Sequence, residues 1–328
     1  MAQLLRSIGK SGIMTSAVGI GTWAMGGWLW GGGANDEDSL AAIHESLDMG
    51  ITLIDTAPVY GLGRAEEIVG RAIKGRRNEV TLVTKCGLVW DTEMGRPVIN
   101  QADKVIHSYL GGASIRRELE ASLRRLGTNW VDVYITHKQD PTTPISETLD
   151  ELSKLKAEGK IRAIGISNVS DEELLQYISS GDIDCVQECY NMIDRNIEKT
   201  IIPICIDNEI SVISYSSLAF GLLTGEIGRD RVFGEGDFRY NHPLFTPEII
   251  ELVSSFKEAI RPVTDRYNVS MANCVTAWTL AQQGIGFALC GARNAMQARE
   301  NSHAGNLILS NKDIAEINAA FDARRGIS

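Results

Sequence analysis

The chain of 328 residues exceeds the commonest domain size but lies within the range of α/β barrels, so one barrel domain over 1–328 is expected. Apolar residues make up 44%, enough for a large core and too many for a disordered chain. A formal charge of −10 argues against nucleic acid or an anionic membrane as partner, so any anionic ligand must rely on a local basic patch.

The first residues, Met-Ala-Gln-Leu-Leu-Arg, form no hydrophobic leader, and no apolar run approaches a membrane span. A cytoplasmic protein is expected. Residues 1–16, with Gly9, Lys10, Ser11 and Gly12 at a turn, read as a hairpin ahead of eight strand-like runs. These are Ala17–Trp23, Ile51–Thr56, Val80–Lys85, Val131–His137, Ile161–Asn168, Cys185–Tyr190, Ile210–Ser216 and Ile285–Gly291. Several are continuous apolar runs, as parallel strands buried on both faces require. Helical stripes separate them: Leu40, Ile43 and Leu47; Ala65, Ile68, Val69, Ala72 and Ile73, closed by Gly75; and Ile115, Leu119, Leu123 and Leu126, with Ser114 as the expected N-cap. Ser170-Asp-Glu-Glu-Leu opens another helix. Strand and helix alternating eight times predict a (β/α)8 TIM barrel. Three long loops follow strands, Trp23–Asn35, Asp91–Gly112 and Gly225–Pro247, where a barrel carries its site.

The chemistry gathers at strand ends. Asp55 stands near the end of the second run, Lys85 and His137 end the third and fourth, and Tyr60 follows Asp55. A buried carboxylate needs a cationic partner, which Lys85 offers. The ammonium is expected to lower the phenol pKa of Tyr60, making an acid–base centre for a carbonyl oxygen. Such a set has no hydride of its own, so a redox cofactor is implied. Gly61-Leu-Gly63 is no dinucleotide fingerprint, whereas Gly291-Ala-Arg293 leads into a helix whose N-terminus favours phosphate. The six cysteines show no CxxC pair and read as reduced, mostly buried thiols, although Lys85 could activate Cys86. No metal motif occurs.

The chain resembles the aldo-keto reductases, specifically a microbial subgroup active on sugars, polyols and small aldehydes. The resemblance rests on Gly21-Thr22-Trp23, Asp55-Thr56-Ala57 with Tyr60-Gly61, Lys85, His137, Gly165-Ile-Ser167-Asn168, Gln187 with Tyr190-Asn191, Tyr215-Ser216 with Gly221-Leu-Leu-Thr-Gly225, and Gly291-Ala-Arg293 with Glu300-Asn301. It implies Tyr60 as general acid, tuned by Lys85 and Asp55, with His137 orienting the carbonyl. It also implies NADPH, with NADH possible. Gly21, Thr22, Trp23 and Asp55 would lie along the cofactor, and Tyr215 under the nicotinamide. Ser167, Asn168 and Gln187 would hold its carboxamide, and Ser216, Leu218, Gly221 and Leu223 its pyrophosphate. Gly291, Arg293, Gln297, Glu300 and Asn301 would take the adenosine 2′-phosphate and adenine.

Trp23, Trp28, Trp30 and Trp90 are expected to wall a small-molecule carbonyl or sugar site with Tyr60, His137 and Lys138. Two positions depart from the family pattern. Lys138-Gln139 stands where many members carry Trp-Pro after the histidine, and Gln297 replaces an arginine, weakening NADP preference. Other readings are a cofactor-binding regulatory subunit, a dehydrogenase working in the oxidative direction, and a Schiff-base aldolase on Lys85. Pairing with Asp55 argues against the last.

Overall fold

The computed structural model describes residues 3–31 and 35–325. Residues 1–2 of the expected hairpin and 32–34 of the first long loop lie outside this description. Eight parallel strands close into a barrel: Val18–Gly21, Leu53–Asp55, Thr81–Cys86, Val131–Thr136, Ile161–Ser167, Cys185–Cys189, Ser211–Tyr215 and Ile285–Gly291. Each pairs with its successor in the chain, and the eighth closes onto the first through Gly291 opposite Gly21. Every strand begins or ends within three residues of its expected bounds.

Side chains alternate along each strand, which builds two cores. The outward set packs beneath the helices: Val18, Ile20, Ile54, Leu82, Tyr134, Ile164, Val186 and Val212 join one large cluster. The inward set fills the barrel with Leu53, Val83, Val133, Ile135, Ala163, Cys185, Ile213, Phe287 and Leu289. Glycine at two inward positions makes room for this filling. A Cβ at Gly19 would lie 2.7 Å from Leu289, and one at Gly165 would lie 2.8 Å from both Cys185 and Ile135. The N-terminal hairpin, Leu5–Ser7 against Met14–Ser16, delivers Ile8 into the bottom of this interior, so the far end is plugged.

Two expectations change. The Asp91–Gly112 excursion is not irregular loop: Arg96–Gln101 and Lys104–Ser108 form a hairpin, extended by Leu88–Val89. The helix Gly112–Leu126 starts from Gly111, whose extended backbone caps it, and not from Ser114. Ser114 lies inside the first turn and its hydroxyl donates to Glu118 instead. The other helical stripes form as expected, over Asp36–Asp48 and Arg64–Ala72, and Ser170 closes a capping box with Glu173. Among the described residues no helix is long and apolar enough to cross a membrane.

Candidate active site

One pleat above the apolar filling, the inward position of each strand or its direct continuation is Gly21, Asp55, Lys85, His137, Ser167, Gln187, Tyr215 or Gly291. The period of two sets this ring: Leu53 precedes Asp55 by two residues, Val83 precedes Lys85, Ile135 precedes His137 and Ile213 precedes Tyr215. Six polar or aromatic groups and two glycines thus share one mouth at the C-terminal ends of the strands, where barrel enzymes keep their chemistry.

Asp55 is the hub. Lys85 Nζ donates to both of its carboxylate oxygens, at 2.7 and 2.8 Å, and also to the Thr56 carbonyl at 3.0 Å. The same ammonium lies 3.3 Å from the Tyr60 hydroxyl. From across the barrel Gln187 Nε2 donates to Asp55 Oδ2 at 2.8 Å. The Lys85 side chain is fully buried, which pulls its pKa below the usual lysine value, while Asp55 pulls it back up. The Tyr60 phenol stands well above its ordinary pKa, first because it is shielded from water and second because Asp55 is close. The expected lowering by Lys85 is not seen: burial and Asp55 both push the phenol up. His137 is held well below the ordinary histidine range by burial, then by the neighbouring charges of Lys85 and Lys138, so its ring is neutral near pH 7. Cys86 shows the opposite of activation, because burial and Glu118 push its thiol pKa well up. Five of the cysteines are buried and Cys189 is half-buried, all of them free.

Backbone packing aims Tyr60 at Lys85. Gly61 has φ 69°, and a Cβ there would sit 2.3 Å from the Gly26 carbonyl. A Cβ at Gly26 would in turn meet the Tyr60 backbone at 2.6 Å. Only two glycines let the Tyr60 loop lie this close to the 3-10 turn Trp23–Gly26. Thr22 ties the same corner down, its hydroxyl and its N–H both donating to the Asp55 carbonyl at 3.0 Å. Trp23 reaches the Tyr60 ring at 6.4 Å between centroids, and His137 meets it edge-on at 5.7 Å.

Aromatic side chains continue the wall. Trp23 contacts Trp30, Phe220 and Phe238, with centroids 5.3, 6.3 and 5.3 Å away. Trp90 packs beside Tyr60 over Ala57, Val59 and Ile106. Trp28 is half-buried and makes no ring contact among the described residues. Lys138 is half-buried, and its carbonyl accepts from Ser108 at 3.4 Å. Phe220, Phe238 and the neighbouring His242 were not singled out from sequence; the one signal was their place in or beside the long Gly225–Pro247 loop. That loop crosses to the first one, through a bridge between Trp30 and Asp237 and through Arg239 stacked 4.7 Å from the Trp30 ring.

The remaining candidates lie along the rim from the fifth strand to the eighth. Asn168, at φ 57°, donates to the His137 carbonyl and to Ser167 Oγ, and accepts from the Tyr215 hydroxyl at 2.8 Å. Ser167 Oγ donates to the Gln187 carbonyl at 2.6 Å. After Tyr215 the backbone is left-handed at Ser216, Ala219, Phe220 and Gly221. Leu218 and Leu223 are buried in the outer core, so they face the mouth only through backbone. Beyond Gly291 the Arg293 N–H donates to Gln297 Oε1, and Asn294 caps the helix Ala295–Ala304. Asn301 ties that helix to the Gly291 carbonyl at 3.0 Å, and Glu300 is exposed, its carbonyl taking a bond from Asn273. The Arg293 guanidinium is exposed and makes no ion pair within 4.0 Å among the described residues.

Residues 17–322 match the model of the Aldo/keto reductase family. The chain belongs to that family. It is an oxidoreductase that reduces carbonyl groups at the expense of a nicotinamide cofactor. It is 40% identical over 311 residues to the NADH-specific methylglyoxal reductase of Escherichia coli, covering 93% of this chain and 94% of that one. The glycerol dehydrogenase structure from Gluconobacter oxydans superimposes with a TM-score of 0.88 at 35% identity, covering 99% of this chain and 97% of the other. A Klebsiella pneumoniae aldo/keto reductase structure, described in complex with NADP and acetate, gives a TM-score of 0.73 at 28% identity over 95% and 94% of the two chains.

Proposed function

We propose that this aldo/keto reductase reduces small polar aldehydes and ketones, sugars among them, reversibly and with NADPH preferred over NADH. The observation that carries the reading is the placement of one phenol, Tyr60, within 3.3 Å of a buried ammonium that Asp55 grips with both oxygens. Tyr60 keeps its proton at neutral pH and releases it to the carbonyl oxygen of the substrate. Lys85 stabilises the phenolate as it develops, which is where a preorganised charge is most effective. Asp55 favours the charged ammonium in a site where burial pulls its pKa down. The neutral His137 ring donates a hydrogen bond to the same oxygen and turns it toward Tyr60.

The nicotinamide cofactor supplies the hydride when bound. Three features of the mouth fit that group. Gly21 and Gly291 leave the side between the first and eighth strands bare, with nothing within 4 Å of a Cβ at Gly21. The left-handed positions at Ser216 and at Ala219, Phe220 and Gly221 give this turn the backbone character of an anion-binding loop. Ser167, Asn168 and Gln187 cluster as amide and hydroxyl partners suited to a carboxamide. Tyr215 offers a ring face beside them, and Leu218 and Leu223 offer backbone. Arg293, Gln297, Glu300 and Asn301 would serve the adenosine end, with the exposed Arg293 guanidinium taking the 2′-phosphate. The NADH-specific relative pulls the other way, so NADH is expected to be used as well. Trp23, Trp30, Trp90 and Lys138 bound the substrate side.

Oxidation of NADPH and of NADH, followed at 340 nm with methylglyoxal, glyceraldehyde, glucuronate and benzaldehyde, tests the reading. Turnover of the polar carbonyls, faster with NADPH, is expected. Tight cofactor binding with no turnover of any carbonyl would make the protein a cofactor-binding regulator instead.

A further inference from the structure

Gln187 does more in this geometry than face a cofactor. Its side chain is 2% exposed, and its one hydrogen bond among the described residues runs 2.8 Å across the barrel to Asp55 Oδ2. A carboxylate accepts and cannot donate, so the atom facing Asp55 must be the amide NH2. The orientation of the amide is thereby set by chemistry. Gln187 Oε1, the acceptor end, has no hydrogen bond among the described residues.

We propose that Gln187 is a positioning residue of the acid centre, holding the Asp55 carboxylate square to Lys85 and thereby setting the acidity of Tyr60. This rests on the assignment of Tyr60 as proton donor. The distances describe the device. Asp55 Oδ2 receives Gln187 at 2.8 Å and Lys85 at 2.8 Å, while Oδ1 receives Lys85 at 2.7 Å. Two donors on one oxygen and one on the other leave the carboxylate little freedom to rotate. The Gln187 bond also draws part of the carboxylate's negative charge away from Tyr60, which stands within its field. Removing that bond makes the phenol a weaker acid. The main chain of Gln187 is itself pinned, because Ser167 Oγ donates to its carbonyl at 2.6 Å and Asn168 Nδ2 donates to Ser167 Oγ at 3.0 Å. One line of hydrogen bonds thus runs from Tyr215 through Asn168, Ser167, Gln187, Asp55 and Lys85 to Tyr60. The free Oε1 offers an acceptor to an amide NH2, such as that of a nicotinamide carboxamide, without surrendering the bond to Asp55.

Two variants test this, each measured for NADPH affinity by fluorescence titration and for the pH profile of kcat. Gln187→Met keeps length and removes both polar ends. It should lower kcat about tenfold to a hundredfold on the neutral plateau, the scale of a lost bond to a charged group, and should move the alkaline limb of kcat upward. Gln187→Glu is isosteric and keeps an acceptor for the cofactor. Ionised, it repels Asp55; protonated, it donates to Asp55 again. Its kcat should therefore recover as pH falls, while Gln187→Met shows no such recovery. If both variants keep the wild-type pH profile and only weaken NADPH binding, Gln187 is a cofactor ligand alone and the proposal is overturned. If Tyr60→Phe retains wild-type turnover, it is the underlying reading of the acid that fails.

Discussion

Lys85 Nζ stands 3.3 Å from the Tyr60 hydroxyl while its other contacts, at 2.7 to 3.0 Å, all go to Asp55 and Thr56. The ammonium is thus held by its anchors and only approached by the phenol, an arrangement that tightens as negative charge grows on the phenol oxygen.

Both members of the Asp55–Lys85 pair are nearly inaccessible, at 4% and 0% of side-chain exposure. Removing Lys85 alone leaves a buried charge without its partner. Lys85→Met should therefore cost about 3–5 kcal/mol of stability. Lys85→Met combined with Asp55→Leu should cost less than the single change. Urea unfolding of the three proteins checks the order; a double variant less stable than Lys85→Met would contradict it.

In the function proposed above, Arg293 would carry the preference for NADPH. A charge-assisted bond to a phosphate contributes about 1.5–3 kcal/mol. Arg293→Ala should weaken NADPH binding about tenfold to a hundredfold and leave NADH binding within about twofold. Fluorescence titration with both cofactors decides; equal losses would remove the arginine from the phosphate site.

Lys138 contributes to the field on the His137 ring and makes no ion pair within 4.0 Å among the described residues. With three donors free, it should favour hydroxylated or acidic substrates. Lys138→Met is expected to raise KM for glyceraldehyde and glucuronate and to spare benzaldehyde. Unchanged selectivity among the three would leave Lys138 as a surface residue.

Glu188 is buried behind the Asn168 corner and accepts from the Val169 N–H at 2.9 Å. Burial raises its carboxyl pKa from 4.5 to about 7. A folded-state pKa above the unfolded one means a contribution fully present below pH 4.5 and lost as pH rises through 7. Glu188→Gln, which does not titrate, should therefore lose less stability than wild type between pH 5 and about 8. Thermal unfolding across that range gives the answer; parallel pH curves for the two proteins would contradict it.

The barrel was legible because its strands are long apolar runs ending in polar groups, and because a period of two carries Leu53 to Asp55 and Val83 to Lys85 on one face. The acid–base set was legible for the same reason. Less accessible from sequence was anything made by distant loops meeting. Phe238 and Trp23 touch across more than two hundred residues with no local pattern to announce it. The hairpin Arg96–Ser108 was hidden for a different reason. Its turn places Ala102 and Asp103 at φ 44° and 58°, the conformation that Asn-Gly usually signals. Its strands are largely exposed and include Pro97, so they lack the apolar alternation of a half-buried pair. The Tyr60 pKa went astray because neighbouring charges can be guessed from strand ends, whereas the loss of water around a phenol depends on the packed loops.

Substituting Tyr60 is the most direct test. Tyr60→Phe removes one hydroxyl and keeps the ring that packs against Trp23 and His137. Single-turnover reduction of methylglyoxal by the NADPH-loaded protein should slow by about 10² to 10⁴, the scale of general acid catalysis, with NADPH affinity unchanged. A Phe variant that turns over at the wild-type rate would contradict the account.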